Sequence, residues 1–425
     1  MAARCSRDSC HKSPAHVIIK YVSGYSPAVH SVGLNAHLLS LTQTYRGAGI
    51  NGYIYQLLCH LPGCERASAG KSPLRYVAYL HDSAFSAPAG LTTSRSRLDT
   101  RIPWRRIVWE QTRLAAESQR LDLLHGLAFA SPLAAGCPTI VTVHDLSFLR
   151  FPAAFRAFQR LYLGLITRIS TRRAARVIAV SESTRQDVIA FCGVAEENVV
   201  VVPNGVTDAF KPADAAAVGV FRAAKKLPEH FILFVGTLEP RKNLVRLIDA
   251  FAACRRGATR PAKLVLAGGK GWFYETAFRR VHELSLDDEV IFPGFVPPDE
   301  LPWWYRAADL FVYPSLFEGF GLPVLEAMAC GTPTITSTAS SLPEVAGDAA
   351  LLVNPEDTGA LSEAIRRVLD DPSLRESLRG AGLRQAAQFS WTRTAVETAQ
   401  VYRAALGLKS NERLEAQGTS AGGAT

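Results

Sequence analysis

Short runs of branched and aromatic residues alternate with longer stretches of helical periodicity along most of the chain. In the first half, VGLNAHLL from Val32, LRYVAYL at Leu74 to Leu80, LDLLHG from Leu121, TIVTVHD from Thr139, RVIAVS at Arg176 to Ser181 and VVVVPNG ending at Gly205 read as strands. Helical patterns lie between them: YRGAGINGYIYQLLCHL, a stretch around Arg105 to Glu117, Ala153 to Ala174, and one capped by Ser181 or Ser183. Strand and helix alternating in this way predict a parallel sheet covered on both faces. The segment DAFKPADAAAVGVFRAAKKLPEHF breaks the rhythm, which restarts at Phe231 with FILFVGT and continues through KLVLAGG, EVIFPGF, DLFVYPS, PTITS and ALLV. The expected class is therefore α/β with two doubly wound domains, residues 31–208 and 209–389, divided near 208–229. Three helices follow the last strand, at Asp357 to Leu369, Pro372 to Gln388 and Trp391 to Leu406. Residues 1–30, where HVIIKYV has strand character but GYSPAVHS interrupts it, are expected to be an extension, and 409–425, rich in Gly, Ser, Ala and Thr, a disordered tail.

The 425 residues are enough for two sizeable cores, and 48% apolar with 20% charged residues is a globular composition. A formal net charge of +9 suits nucleic acid, an anionic lipid surface or a phosphorylated substrate. The eight cysteines are sparse; Cys5 with Cys10 and Cys59 with Cys64 lack partners in zinc-ligand order, so reduced, mostly buried thiols in a cytosolic setting are expected. No secretory signal is visible. The long uncharged run Gly126 to Val143 is broken by Pro132, Gly136 and Pro138, which favours loop plus strand over a membrane span.

Candidate chemistry concentrates in FEGFGLPVLEAMACGTPTI, Phe317 to Ile335. After the strand DLFVYPS comes a glycine loop, Gly319-Phe320-Gly321, then a helix with proline in its first turn and Gly331 as its stop. Such a unit aims unpaired N–H groups and the positive end of the helix dipole at an anion, typically phosphate. The flanking Glu318 and Glu326 repel phosphate but suit vicinal hydroxyls, since one carboxylate accepts from two of them. Two diols on either side of a diphosphate describe a nucleotide sugar.

At these residues the chain resembles the retaining family 4 glycosyltransferases of the GT-B architecture, whose signature is this Glu-x7-Glu within EGFGLPxxEAxAxGxP. The resemblance covers roughly Val32 to Tyr402. It implies two Rossmann-like domains facing across a cleft, with the C-terminal helix, residues 390–407, crossing back onto the acceptor-side N-terminal domain. It also implies a nucleotide-sugar donor, GDP-mannose first among candidates, and a saccharide or lipid-linked acceptor.

In GTLEPRKN, Arg241 and Lys242 follow a turn at Gly236 and can put positive charge on the diphosphate. The resemblance assigns Lys242 this role; where many relatives carry arginine directly after the glycine, this chain has Thr237, and Arg241 becomes the second cation. His144 ends a parallel strand, at the edge where doubly wound domains bind ligands, and the resemblance sets it beside the donor sugar with Asp145 as orienting group or helix cap. Gly47, Gly49 and Gly52 spell a dinucleotide fingerprint, but about ten residues separate them from the preceding strand and Asp82 lies too far on, beyond the ~20 residues expected. The resemblance makes Gly47 to Asn51 a loop over the donor phosphate, with Gly49 closest.

The segment Thr92 to Leu114 interleaves six arginines with Trp104 and Trp109. This suits an anionic membrane surface, where each cation contributes ~1 kcal/mol, and equally a solvated helix whose tryptophans pack inward; no nucleic-acid-binding motif is present. The chain is thus expected to be a metal-independent hexosyltransferase without cofactor, since no Asp-x-Asp pair stands in a strand-end loop, acting in the cytoplasm or on the cytoplasmic membrane face. Glu318 and His144 are the expected catalytic residues; Gly49, Gly236, Arg241, Lys242, Gly319, Phe320, Gly321 and Glu326 bind substrate. The alternative is a nucleotide-sugar epimerase, or a binding protein on the same scaffold.

Overall fold

The computed structural model describes residues 29–41, 49–67, 73–81, 83–151, 157–255 and 261–408. The expected extension up to residue 28, Gly47, Asp82, the first residues of the helix expected from Ala153, the tail from residue 409 and the pair Cys5 and Cys10 lie outside these residues.

The first half forms seven strands: β1 (His30–Asn35), β2 (Leu74–Leu80), β3 (Leu91–Arg95), β4 (Leu123–Gly126), β5 (Thr139–Val143), β6 (Arg176–Ala179) and β7 (Val199–Val201). They make one parallel sheet in the order β3-β2-β1-β4-β5-β6-β7. The second half forms β8 (Phe231–Val235), β9 (Lys263–Ala267), β10 (Val290–Gly294), β11 (Leu310–Tyr313), β12 (Thr334–Ser337) and β13 (Leu351–Val353), in the order β10-β9-β8-β11-β12-β13. All five residues of β5 and all four of β11 are buried, as central parallel strands covered by helices on both faces require. This is the doubly wound α/β architecture expected from the alternating pattern.

One strand escaped that pattern. β3 pairs parallel with β2, Tyr76 opposite Leu91, yet only Leu91 of its five residues is buried. An edge strand with a wet face carries no apolar run to reveal it. The next helical stretch begins at Pro103, runs through a π-helical segment, Glu110–Leu114, and ends at Ser118.

The helix Trp391–Ala405 packs on Ile50–Ala67 of the first half, and Trp391, Ala395 and Tyr402 belong to the first sheet's core. Polar contacts fix its register. Tyr402 Oη lies 2.6 Å from His125 Nδ1 on β4, His125 Nε2 lies 2.8 Å from Thr142 Oγ1 on β5, and that oxygen is 3.0 Å from Tyr53 Oη. Burial holds His125 near a pKa of about 3, so the chain of contacts runs through a neutral imidazole. Val206 and Ser390 form a β-bridge, so the two crossings between the halves run side by side.

Among the described residues all six cysteines are free thiols, three buried and three half-buried, and no helix is long and apolar enough to cross a membrane.

Replacing Tyr402 by Phe leaves His125 Nδ1 unpaired in the core. The expected result is a loss of ~1–3 kcal/mol in unfolding free energy, read from the denaturant midpoint with an unchanged slope.

Candidate active site

Each sheet presents the C-terminal ends of its strands to the space between the two halves. A cavity of about 480 Å³ lies there, walled by Gly49, Asn51 and Tyr55 from the first half and by Gly236, Gly268 and Glu326 from the second. The loops after β8 and β9 touch backbone to backbone: Gly236 N donates to Ala267 O at 3.0 Å, and a Cβ on Gly268 would overlap the Gly236 carbonyl. Glycine is therefore required at this wall.

Behind the wall lies a buried ionic cluster. Pro240–Lys242 is a single 3-10 turn closed by Asn243 in a left-handed conformation, φ 61°. Asn243 Nδ2 donates to the carbonyls of Pro314 and Pro355, and Leu316 N donates to Arg241 O, which stitches this turn to the loop after β11. Lys242 Nζ then donates to Glu318 Oε1 and to Tyr313 Oη, each at 2.6 Å. Arg241 reaches the other carboxylate oxygen at 3.1 Å and pairs with Glu239 at 2.9 Å. Two cations and two carboxylates balance. Burial opposes ionisation of Glu318, but Arg241 and Lys242 outweigh it and hold the carboxyl at about 2.

Glu326, one turn into the helix Leu322–Ala329, has the opposite fate. Its hydrogen-bond partner is Tyr305, whose hydroxyl donates at 2.9 Å, and burial raises its pKa to about 7 against that bond. Its side chain faces the cavity.

The loop between the two glutamates makes the junction of the halves. Glu318 N donates to Ser340 Oγ at 2.8 Å, and Ser341 Oγ donates to the carbonyls of Glu318 and Phe320. The Gly319 carbonyl accepts from Ser181 Oγ at 2.6 Å and Thr184 Oγ1 at 3.1 Å. A Cβ on Gly319 would overlap the His144 carbonyl oxygen and stand 2.9 Å from Asp145 Cβ. Phe320 is buried in the second core, and Gly321, at φ 110°, opens the helix. Glu344 closes the junction from the other side, accepting from the amides of Glu182 and Ser183, both at 2.7 Å.

His144 stands at the end of β5. Its Nε2 donates to the Leu127 carbonyl at 2.9 Å, and the Tyr53 ring lies edge-on at 4.7 Å. Burial lowers its pKa to about 4, leaving a neutral imidazole above that value. Asp145 accepts from Ser147 N and Oγ and so caps the turn that follows.

Of the residues expected from the sequence, Gly49, Gly236 and Glu326 meet at the cavity. Arg241, Lys242 and Glu318 form one cluster beside it, while His144 and Gly319 meet at the junction. Sequence reasoning missed His125, the grip of Ser181 and Thr184 on Gly319, Tyr305 against Glu326, and Glu344. Only Ser181 carried a signal, as a helix cap; its Oγ does accept from Thr184 N.

Two doubly wound domains facing across a glycine-walled cavity define the GT-B architecture. The family described as Glycosyltransferase Family 4 matches residues 33–210, and that described as Glycosyl transferases group 1 matches residues 220–385. The Escherichia coli O-antigen chain mannosyltransferase B is 33% identical over 265 residues, which cover 62% of this chain and 70% of that relative. The chain belongs to the group 1, family 4 glycosyltransferases, a retaining family. A D-inositol 3-phosphate glycosyltransferase of Acidothermus cellulolyticus is 34% identical over 247 residues, 55% of this chain and 54% of that one. Against other relatives the match is to a part: it spans 32% of the E. coli serotype-specific mannosyltransferase WbdA. Among solved structures, sucrose-phosphate synthase from Thermosynechococcus elongatus aligns with a TM-score of 0.70 at 24% identity, over 89% of this chain and 99% of that one. Anabaena HepE, in complex with UDP and glucose, aligns with a TM-score of 0.67 at 18% identity, over 88% of this chain and 100% of that one.

Replacing Gly319 by Ala forces the two halves apart at their closest point. Since a displacement of about 1 Å can cost ~10²-fold in rate, turnover is expected to fall by about that factor while the melting temperature stays near that of the parent. Unchanged turnover would mean that the close approach is not needed during catalysis.

Proposed function

We propose that this glycosyltransferase moves a hexose, mannose first among candidates, from a nucleotide diphosphate sugar to a saccharide or lipid-linked saccharide, in cell-surface polysaccharide or glycolipid synthesis. The observation that carries the reading is Glu326, a cavity carboxylate with one oxygen held by Tyr305. It is suited to accept from the ribose diol. The named role of the E. coli O-antigen mannosyltransferase supports mannose and the polysaccharide setting, and the UDP and glucose bound by HepE support a nucleotide-sugar donor.

In this reading Gly49, Gly236 and the turn through Gly319, Phe320 and Gly321 leave room for the diphosphate, and Lys242 and Arg241 compensate its charge. No metal ion is then needed for that compensation. Glu318 and His144 bracket the donor sugar. As the bond to the diphosphate lengthens, positive charge grows on the sugar ring and negative charge on the leaving oxygen. A carboxylate held ionised at about 2 stabilises the first, and the neighbouring cations stabilise the second. His144, neutral and fixed by Leu127, orients a sugar hydroxyl without exchanging a proton. The acceptor hydroxyl attacks the face the diphosphate leaves, and the departing phosphate oxygen takes its proton. Acceptor delivery at the cytoplasmic membrane face fits the arginine-rich segment Thr92 to Leu114, in which Trp109 is buried but Trp104 is 62% exposed.

The test is incubation with a panel of nucleotide sugars and saccharide acceptors in EDTA. Acceptor-dependent release of nucleoside diphosphate from one donor is expected. Binding without release, or release that EDTA abolishes and Mg2+ restores, would respectively overturn transfer and metal independence.

Glu326 yields a second prediction. Only its ionised form accepts from both ribose hydroxyls, so affinity for a nucleotide sugar should weaken as pH falls through about 7, by ~tenfold per unit at the limit. The donor's diester phosphates do not titrate there. Glu326→Gln should bind ~1.5–3 kcal/mol more weakly at pH 8 and lose this dependence, as calorimetry at pH 6 and pH 8 would reveal.

A further inference from the structure

A second cavity, of about 260 Å³, opens at the opposite edge of the second sheet. Asp309 and Thr332 on its wall stand just before β11 and β12, so it lies at the N-terminal ends of those strands, and the sheet separates it from the glycine-walled cavity. Three arginines converge on it from two helices: Arg306 from Leu301–Ala307, and Arg375 and Arg379 from Pro372–Ala386.

Two of the guanidiniums are fixed by neutral groups. Arg306 Nε donates to the Lys211 carbonyl at 2.6 Å and Nη2 to that of Ala209, with Cζ 4.6 Å from the centre of the Trp303 ring. Arg375 Nη1 donates to the carbonyls of Val368 and Leu369, near the end of the helix Thr358–Asp370. Arg379 is exposed and lies over the turn at Gly331, where a Cβ would stand 3.5 Å from its Nε. These bonds leave Nε and Nη2 of Arg375 and the fork of Arg379 for other acceptors.

The charges are unmatched. Among the described residues no carboxylate pairs with any of the three, whereas Arg366 and Arg393 on the adjoining helices pair with Glu363 and Glu397. Of the two acids on the wall, Asp309 accepts from the Phe231 amide at 3.0 Å and faces His230 at 3.4 Å, while Glu376 is exposed. Arg375 and Arg379 are four residues apart on one helix face, where like charges destabilise the helix. An anion between them removes that repulsion.

We propose that this cavity binds a small phosphate-bearing anion. A guanidinium fork donates two parallel N–H bonds to one phosphate, which selects a tetrahedral oxyanion over a monovalent ion such as chloride. The volume suits inorganic phosphate or the phosphate end of a small phosphomonoester, since it falls below the ~300–1,000 Å³ of pockets that bury larger ligands. The inference rests on none of the transfer chemistry, and its test needs neither donor nor acceptor.

Thermal melting of the full chain is followed with inorganic phosphate and with glycerol 3-phosphate, against sodium chloride at the same ionic strength. Saturable stabilisation by both phosphates, beyond that of chloride, is expected. The double variant Arg375→Gln with Arg379→Gln, and separately Arg379→Gln, which alters only an exposed side chain, should weaken phosphate affinity about tenfold or more for each guanidinium lost. Arg379→Lys, which keeps the charge and loses the fork, should fall between parent and Arg379→Gln. The melting temperature of Arg379→Gln without ligand should stay as in the parent. Equal shifts in phosphate and chloride would overturn the proposal. So would a phosphate shift that the variants retain, since the ion would then sit elsewhere, at Lys242 and Arg241 for example. Vesicles containing phosphatidic acid that stabilise the parent and not the variants, where the soluble phosphates do neither, would assign the arginines to a lipid headgroup and overturn the soluble ligand.

Discussion

At Gly319 the two halves of the molecule meet with no room for a methyl group, and that close approach sets the distance across the cleft. Because the Gly319 backbone lies against the His144 carbonyl, Ser181 and Thr184 can reach the Gly319 carbonyl, and Glu344 can reach the amides of Glu182 and Ser183. Each of these bonds contributes about 0.5–1.5 kcal/mol net. Together they hold the junction closed by on the order of a few kcal/mol, far less than a core contributes. A closure of that size is firm enough to align two loops and weak enough to reverse in every catalytic cycle.

The neighbouring residue shows how environment separates two identical side chains. Glu318 and Glu326 are joined by one loop and the first turn of one helix, yet the first is held at about 2 and the second is pushed to about 7. Both are poorly solvated. Glu318 has two cations within 3.1 Å, and Glu326 has one phenol. The ion pair also means that the cations do not await an anion bare. In the proposed reading, a diphosphate entering beside them would share Lys242 and Arg241 with Glu318 and Glu239, whose ion pairs hold the two cations in place beforehand.

The strands of the second sheet and most of those of the first were legible because each is an apolar run bounded by glycine, proline or charge. β3 was not, since an edge strand with one buried residue has no such run. The cavity residues Gly236 and Glu326 were legible through glycine turns and a helix start, which are local features. His125 sits within LDLLHG and reads as any strand residue, because its partner Tyr402 is 277 positions away. The pairing of Lys242 with Glu318 spans 76 positions and was equally hidden. Expected to touch different parts of a donor, these two residues also hold one another, an arrangement that the packing of β8 against β11 brings about.

The side-by-side crossings at Val206 and Ser390 carry a consequence for how such a chain can be built. The polypeptide leaves the first half and returns to it at adjacent points, with Gly205 so close to Trp391 that a Cβ would overlap the backbone nitrogen. Everything between is topologically an insertion into the first half, which completes itself only when Tyr402 reaches His125. Insertions with neighbouring ends are the kind that folds tolerate. Exchange of the segment from 207 to 389 for that of a relative with a different donor would therefore have its natural seams at these two residues. A graft running on past Trp391 would strip the host half of its own last helix.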